Sequence, residues 1–197
     1  CGSKCLLYLD DILVFGKTEE EFCENLKQVC ERLCKYNLIM NYRKCKIGVK
    51  KVTYLGFTID AEGRRITEKR LEALKMMKPP SSKKEVQKLI GGLNFVREFI
   101  PDYSRRMEPI SRLLKEELTH WTDVQQNAWE DIIKALEERI VLAHPKANAK
   151  VIVRTDASTT GMGGVLIQEV AGKEEIVSLF AKKFTPAEKK WSTIEQE

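Results

Sequence analysis

The sequence contains only two histidines, His120 and His144, and neither lies near a cysteine. All six cysteines fall within the first 45 residues, at positions 1, 5, 23, 30, 34 and 45. Because zinc ligands come at short, regular cysteine and histidine spacings, this distribution argues against a zinc site. We expect buried free thiols in a reducing compartment instead.

Long apolar runs, low-complexity tracts and internal repeats are also missing. No run approaches the roughly 18 residues of a membrane-spanning helix, and the start of the chain does not resemble a signal peptide. With 43% hydrophobic and 32% charged residues, the composition is typical of one or two globular domains. The chain begins with Cys1 and stops at Glu197 inside an apparent helix, so we expect a piece of a longer polypeptide.

Basic charge is concentrated in the middle of the chain. Residues 64–115 carry 14 basic and 6 acidic side chains, a net charge of +8, whereas residues 1–63 carry +1 and residues 116–197 carry −4. Such a block suits a polyanionic partner, although a solvated surface with surplus lysine would have the same composition.

Two adjacent carboxylates, Asp10 and Asp11, lie between two apolar runs within residues 5–15. Each run has the length of a buried strand, so the pattern predicts a hairpin with the pair at its tip. Carboxylates this close to each other and to a core repel and lose hydration, which a bound divalent metal ion would explain. A solvent-exposed Asp-Asp turn explains the same residues, and the pattern leaves both interpretations open.

Periodicity and capping signals predict the remaining elements. Thr18 to Glu21 has the form of a capping box, and a helix with an apolar stripe follows it. Further along, four helical segments precede a switch to strand periodicity. The predicted elements are a strand-like run at 52–59 with a return strand at 64–66, helices starting near 68, 83, 109 and 122, an antiparallel meander at 151–155, 164–168 and 176–180, and a last helix from 185.

A second acidic site is predicted around Asp156, which directly follows the first strand of the meander. A lone aspartate there is commonly a turn former or a helix cap. If the final helix packs across the sheet, Glu195 or Glu197 would join Asp156, and the pair could hold metal ions about 4 Å apart for phosphodiester hydrolysis. The two glutamates point to different faces of a helix, so only one of them can serve.

The order of these motifs resembles that of reverse transcriptases from gypsy-type long-terminal-repeat retrotransposons. Tyr8-Leu9-Asp10-Asp11 resembles their Tyr-x-Asp-Asp motif, and Tyr54-Leu55-Gly56-Phe57 resembles their primer-grip hairpin. Residues 83–103 are similar to the thumb, residues 121–145 to the connection, and Thr155-Asp156-Ala157-Ser158 to the start of the tethered ribonuclease H domain. The resemblance extends over essentially all 197 residues.

The resemblance implies an α+β fold: a partial polymerase palm hairpin and helix, a helical thumb, a connection, and the start of an α/β ribonuclease H-like domain. The implied domains are 1–66 for the C-terminal part of the palm with the primer grip, 67–118 for the thumb, 119–149 for the connection or linker, and 150–197 for the N-terminal part of ribonuclease H.

The implied activity is that of an RNA-directed DNA polymerase with a tethered ribonuclease H, using magnesium, with manganese as a substitute. Asp10 is the better candidate for direct metal binding and Asp11 for a supporting role. Asp156 and Glu197, with Glu195 as the fallback, are the implied ribonuclease H ligands. Each family site needs further carboxylates that this sequence does not contain, so we expect the chain alone to be inactive in both reactions.

The implied partners are a template–primer duplex or RNA/DNA hybrid, deoxynucleoside triphosphates in the full enzyme, and the rest of the polyprotein, with no membrane. Gln87, Gly91 and Phe95 are spaced to line one helix face, where they could contact a minor groove through base edges, close backbone approach and sugar packing. Alternatively, Gly91 eases helix packing and Phe95 is core. The predicted nucleic-acid contacts are Leu55, Gly56, Lys83, Lys84, Gln87, Lys88, Gly91, Phe95 and Arg97.

Two other hypotheses stay open. A non-catalytic nucleic-acid-binding remnant of a domesticated retroelement would use the basic segment without either metal site. A purely structural interaction protein would not bind a hybrid even at low salt. The resemblance also implies an intracellular protein (in the cytoplasm, a virus-like particle or the nucleus) and leaves the oligomeric state open.

Overall fold

The computed structural model describes residues 4–115, 120–158, 161–192 and 195. The chain forms two compact units, Cys1–Val49 and Lys50–Glu197. Helices and antiparallel sheets both contribute, so the predicted α+β class is confirmed. None of the described helices is long and apolar enough to cross a membrane.

The first unit contains the predicted hairpin and helix. Strands β1 (Cys5–Tyr8) and β2 (Asp11–Val14) pair antiparallel with Tyr8 opposite Asp11, so Leu9 and Asp10 form a two-residue turn. Leu9 has a φ of +49° there, a region that turns favour and that leucine rarely adopts. Helix α1 (Glu19–Lys35) begins at the Thr18 cap, whose side chain accepts a hydrogen bond from the Glu21 N–H.

The first unit holds a half-buried stripe rather than a closed core. The apolar residues of that stripe on α1 are Phe22, Leu26, Val29, Cys30 and Leu33. The five described cysteines are free thiols, but none of them is buried, so the expectation of buried thiols was wrong on that point. The thiols are not buried because α1 lies against one short hairpin, which covers little of the helix surface.

The second unit begins with a three-stranded antiparallel sheet of β3 (Val52–Tyr54), β4 (Phe57–Ile59) and β5 (Arg64–Ile66). The prediction of one strand over 52–59 was wrong, because the chain reverses at Leu55 and Gly56. Both residues have positive φ, +49° and +81°, as a type I′ hairpin turn requires. Glycine adopts this conformation readily, but leucine gives no sequence signal for it.

A helical core follows this sheet. Its helices are α2 (Glu68–Lys75), α3 (Lys83–Val96) with a 3₁₀ turn at Arg97–Phe99, α4 (Tyr103–Arg106), α5 (Glu108–Arg112) and α6 (Asp123–Glu137). At the start of α6, both halves of a capping box between Thr122 and Gln125 are present. The most deeply buried side chains of this core include Val86, Leu93, Phe99, Ile110, Ile132 and Leu136.

The predicted meander is confirmed, with longer strands than expected. Strands β6 (Lys150–Ala157), β7 (Gly161–Val170) and β8 (Lys173–Lys183) pair in that order. Ala171 and Gly172, both at positive φ, make the tight turn between β7 and β8. The helix predicted from Thr185 is described only as a 3₁₀ turn at Glu188–Lys190, and residues 193, 194, 196 and 197 lie outside the described part.

Backbone hydrogen bonds join the two sheets of the second unit through the segment around Leu142. Arg64 and Leu142 exchange N–H to carbonyl bonds of 2.9 Å each, and the Ala143 N–H donates to the Ile176 carbonyl at 2.7 Å. Gln168, which is 2% exposed, accepts from the Lys146 N–H and donates to the His144 carbonyl and the Glu175 carboxylate. These bonds fix β5 and β8 relative to each other.

Candidate nucleic-acid interface and carboxylate sites

Helix α3 separates an apolar face from a polar one. Val86, Leu89, Leu93 and Val96 are buried against the helical core. Gln87, Gly91 and Phe95 are exposed, and their i, i+4, i+8 spacing places them in a line along the helix. The core therefore orients α3 so that this line faces solvent.

Among the described residues, no packing contact requires a glycine at position 91. A Cβ added there would meet no atom within 4 Å, so the residue is not small in order to let another element of the chain pack closely. A glycine inside an exposed helix costs about 1 kcal/mol relative to alanine. The interpretation that Gly91 eases helix packing is therefore wrong for this fold.

Phe95 is 42% exposed and belongs to an aromatic cluster rather than to the core. Its ring stacks in parallel on Phe57, with the two centroids 4.8 Å apart, and Phe57 also stacks on Phe99. The Arg70 guanidinium carbon lies 4.0 Å from the Phe95 centroid. Phe57 and Arg70 therefore both contact the Phe95 ring.

The Leu55–Gly56 turn lies beside this cluster. A Cβ at Gly56 would be 3.2 Å from an Arg70 guanidinium nitrogen and 3.5 Å from the Phe95 ring. Arg64 also faces the Phe57 and Phe99 rings and forms an ion pair with Glu98. The predicted primer-grip residues are thus held against the end of α3 by aromatic and cationic contacts. Sequence analysis did not single out Arg70, because only the packing of α2 on this cluster places it there.

The predicted cationic residues of α3 are exposed. Lys83 and Lys84 are the first two residues of the helix, Lys88 lies one turn later, and Arg97 follows its end. Lysines in the first turn oppose the helix dipole, and each lowers the stability of the helix by about 0.3 kcal/mol. Their placement therefore favours a role in binding a partner rather than in stabilising the fold.

Asp10 and Asp11 lie where the hairpin prediction placed them. Asp10 is the second residue of the turn, Asp11 is the first residue of β2, and both are exposed. Within the described residues, no hydrogen bond or ion pair engages either carboxylate. Free, adjacent carboxylate oxygens suit a hard divalent cation such as Mg²⁺. The described part of the chain contains no group of three or more carboxylate, histidine or cysteine side chains that could hold a metal ion.

The second predicted acidic site is described only in part. Asp156 is exposed near the end of β6, opposite Gly163 of β7. The Glu195 carboxylate accepts hydrogen bonds of 2.9 Å from the N–H and the hydroxyl of Ser192, which lower the pKa of Glu195. Glu195 is thus used locally as a turn cap, and Glu197, the preferred ligand, lies outside the described residues.

Comparison with protein families shows which known proteins these segments are similar to. Residues 1–59 match the model of the reverse transcriptase (RNA-dependent DNA polymerase) family. Residues 121–197 match the RNase H-like domain found in reverse transcriptase. The chain therefore carries a reverse transcriptase segment followed by an RNase H-like segment. Enzymes of both families generally use divalent metal ions.

Curated relatives confirm the resemblance to retrotransposons. The Transposon Tf2-3 polyprotein of Schizosaccharomyces pombe is 32% identical over 197 residues, and the Transposon Tf2-7 polyprotein of the same organism is 31% identical. Each alignment covers 99% of this chain and 15% of the relative. The chain therefore spans less than a sixth of the length of these polyproteins.

Solved structures of viral reverse transcriptases share the fold. The foamy viral protease-reverse transcriptase in complex with double-stranded DNA has a TM-score of 0.82 and 26% identity, covering 97% of this chain and 40% of that one. The same viral protein in complex with an RNA/DNA hybrid also gives a TM-score of 0.82, covering 98% of this chain and 26% of that one.

Proposed function

We propose that this chain grips a template–primer duplex or RNA/DNA hybrid for a reverse transcriptase, and that the exposed line on α3 lies along the minor groove. The observation that carries this proposal is Gly91, which is exposed, has open space beside it, and lies between Gln87 and Phe95. Related viral structures hold double-stranded DNA and an RNA/DNA hybrid, which supports the same class of ligand here.

Each residue of the line has a distinct contribution. The Gln87 amide can donate to and accept from base edges, and the missing side chain at Gly91 allows a sugar–phosphate backbone to approach the helix. The Phe95 ring stacks on Phe57 and contacts Arg70, and its remaining exposed part is available to contact sugars. This keeps the expectation that Phe95 packs on sugars.

Cationic and turn residues complete the interface. Lys83, Lys84, Lys88 and Arg97 would neutralise phosphates without distinguishing sequence. The Leu55–Gly56 turn, which projects beside Phe95, would contact the same duplex. The predicted limits of the palm, thumb, connection and ribonuclease H parts, at residues 66, 118 and 149, form part of this proposal.

For catalysis, we assign Asp10 to direct magnesium binding and Asp11 to its support, with Asp156 and Glu197 as ribonuclease H ligands. When bound, divalent ions activate the attacking hydroxyl and neutralise charge on the phosphate oxygens. The exposure and free oxygens of Asp10 and Asp11 support this role. Copying RNA into DNA from deoxynucleoside triphosphates, and cleaving the RNA of the hybrid, are activities we propose for the longer polyprotein.

Hybrid binding by the 197-residue chain tests the proposal. A fluorescently labelled RNA/DNA hybrid should bind with an affinity that falls steeply as salt rises. Gly91→Ala should weaken binding by roughly tenfold, since a methyl group would displace the backbone by more than a van der Waals gap. Gly92→Ala, a neighbouring substitution that also meets open space, is the matched control and should bind normally. Equal affinities for the two variants would contradict the proposed groove contact.

Primer extension tests the catalytic assignment. With magnesium, template–primer and deoxynucleoside triphosphates, we expect no extension by this chain alone, because two carboxylates are too few ligands for two metal ions. Detectable extension would show that a catalytic set is complete within these 197 residues.

A further inference from the structure

Arg70 on α2 has no ion-pair partner among the described residues. Of the seven arginines between residues 64 and 115, five form ion pairs within the described part of the chain, and Arg70 and Arg97 form none there. Within the described residues, the Arg70 side chain has no hydrogen-bond acceptor either. Its described interaction is the stack on Phe95.

The Arg70 guanidinium lies closer to its ring than the guanidinium in any other cation–ring contact among the described residues. The Arg70 carbon is 4.0 Å from the Phe95 centroid, whereas the corresponding distances for Arg43 and Arg64 are 5.8 to 5.9 Å. A guanidinium carries five N–H donors in a planar fork. Because the described residues offer the Arg70 donors no hydrogen-bond acceptor, these donors stay available to an external one.

The neighbouring residues keep this position open. Gly56, at a φ of +81°, leaves space into which any side chain would push toward the guanidinium. Phe57 stacks on Phe95 and so supports the ring that Arg70 contacts. The three residues thus hold a planar cation between the Leu55–Gly56 turn and the end of the exposed line on α3.

We infer that Arg70 is a further nucleic-acid contact, whose guanidinium donates two hydrogen bonds to one backbone phosphate of the bound duplex. The inference rests on the proposed duplex-binding function and adds a residue that the sequence did not indicate. Arginine suits this role because its fork of donors matches two phosphate oxygens. The contact with Phe95 already restricts the side chain, so less conformational entropy is lost when the phosphate binds. On this assignment, Gly56 and Phe95 also position Arg70, in addition to their own proposed contacts with the duplex.

Binding of a labelled RNA/DNA hybrid to the 197-residue chain, measured as a function of salt, tests the inference. Arg70→Gln keeps a planar group on the ring but removes the charge. It should weaken binding by roughly tenfold and reduce the slope of log affinity against log salt by about 0.7 to 0.9, the value for one phosphate. Arg105→Gln, the same change at an exposed, ion-paired arginine of α4, is the control and should bind within about twofold of the unsubstituted chain.

Arg70→Lys supplies a second arm that keeps the charge. It should retain the salt slope and lose affinity a few-fold, because an ammonium cannot make the paired contact. Unchanged binding by Arg70→Gln, or equal losses for Arg70→Gln and Arg105→Gln, would overturn the Arg70 assignment and leave the proposed function intact. Absence of hybrid binding by the unsubstituted chain would overturn both. Circular dichroism of each variant verifies that the fold is retained, and if Arg70→Gln is unfolded, the Arg70→Lys result decides.

Discussion

Three residue types around α3 lower the stability of the folded chain without a benefit inside it. Gly91 weakens an exposed helix, Lys83 and Lys84 oppose the helix dipole, and Leu55 occupies a left-handed backbone conformation. All of them border the same surface. Such local conflicts are characteristic of binding sites, where a partner compensates for them.

Gly91→Ala should therefore stabilise the chain while it weakens hybrid binding. The free energy of unfolding should rise by about 0.5 to 1 kcal/mol, because alanine restricts the unfolded chain and favours the helix. Gly92→Ala should give a similar gain with normal binding, as measured by urea denaturation of both variants. A loss of stability in Gly91→Ala would show that the open space beside Gly91 closes in solution.

Tyr103 should make stability depend on pH in alkaline solution. Burial raises the pKa of its hydroxyl to about 12, and the neutral hydroxyl donates to Asn94 at 2.8 Å. The unfolded tyrosine ionises near pH 10, so the unfolded state loses its proton first and stability should fall between about pH 10 and 12.

Tyr103→Phe should flatten this dependence. Urea midpoints of the two proteins should differ little at pH 7, where the neutral hydroxyl adds one hydrogen bond to an exposed amide, and should converge or cross as pH rises to 11. Parallel declines in the two proteins would assign the alkaline instability to other groups.

At the scale of elements, the Leu55–Gly56 turn controls the position of the hairpin tip beside Phe95. A type I′ turn favours Asn-Gly, because asparagine tolerates positive φ better than leucine does. Leu55→Asn should therefore raise the free energy of unfolding by about 0.5 to 1 kcal/mol in urea denaturation. Val124→Asn, at an exposed helical position, should give no gain. An equal gain there would indicate a general effect of removing exposed apolar surface.

The elements also show what a sequence can predict. Helix α6 has a capping box and a regular apolar stripe, and the meander alternates with glycine-containing turns, so both were predicted correctly. The run 52–59 was mispredicted as one strand because Leu55 fits a strand-like sequence and gives no sign of the positive φ that it adopts. Gln87, Gly91 and Phe95 could be placed on one face by spacing alone. Arg70 could not, because its role depends on tertiary packing of α2 against Phe95.

At the scale of the second unit, Gln168 connects segments distant in sequence. Its buried amide bonds the Lys146 N–H at 2.9 Å, the His144 carbonyl at 2.9 Å and the Glu175 carboxylate at 2.7 Å. Its hydrogen bond, together with that from Lys146, lowers the pKa of Glu175. His144 in turn contacts the Asp60 carbonyl at 2.8 Å, which extends the connection to the turn after β4.

Gln168→Leu should lower the free energy of unfolding by about 1 to 3 kcal/mol, because it leaves the part-buried Lys146 N–H and His144 carbonyl without this partner. Glu169→Ala, next to it on β7, removes only an exposed ion pair with Lys150 and should cost less than about 0.5 kcal/mol. Thermal or urea denaturation of the two variants measures this difference. Equal costs would mean that water replaces the Gln168 amide.

The paired backbone segments around Leu142 also limit how this region can change in evolution. Strand β5, the Leu142 segment and β8 are held by main-chain bonds, which do not depend on side-chain identity. Substitutions there can accumulate freely so long as apolar positions stay apolar. An inserted or deleted residue would reverse which side chains face the core and break the bonds to one neighbour. Lineages of this element should therefore vary in residue type between 140 and 144 while conserving its length.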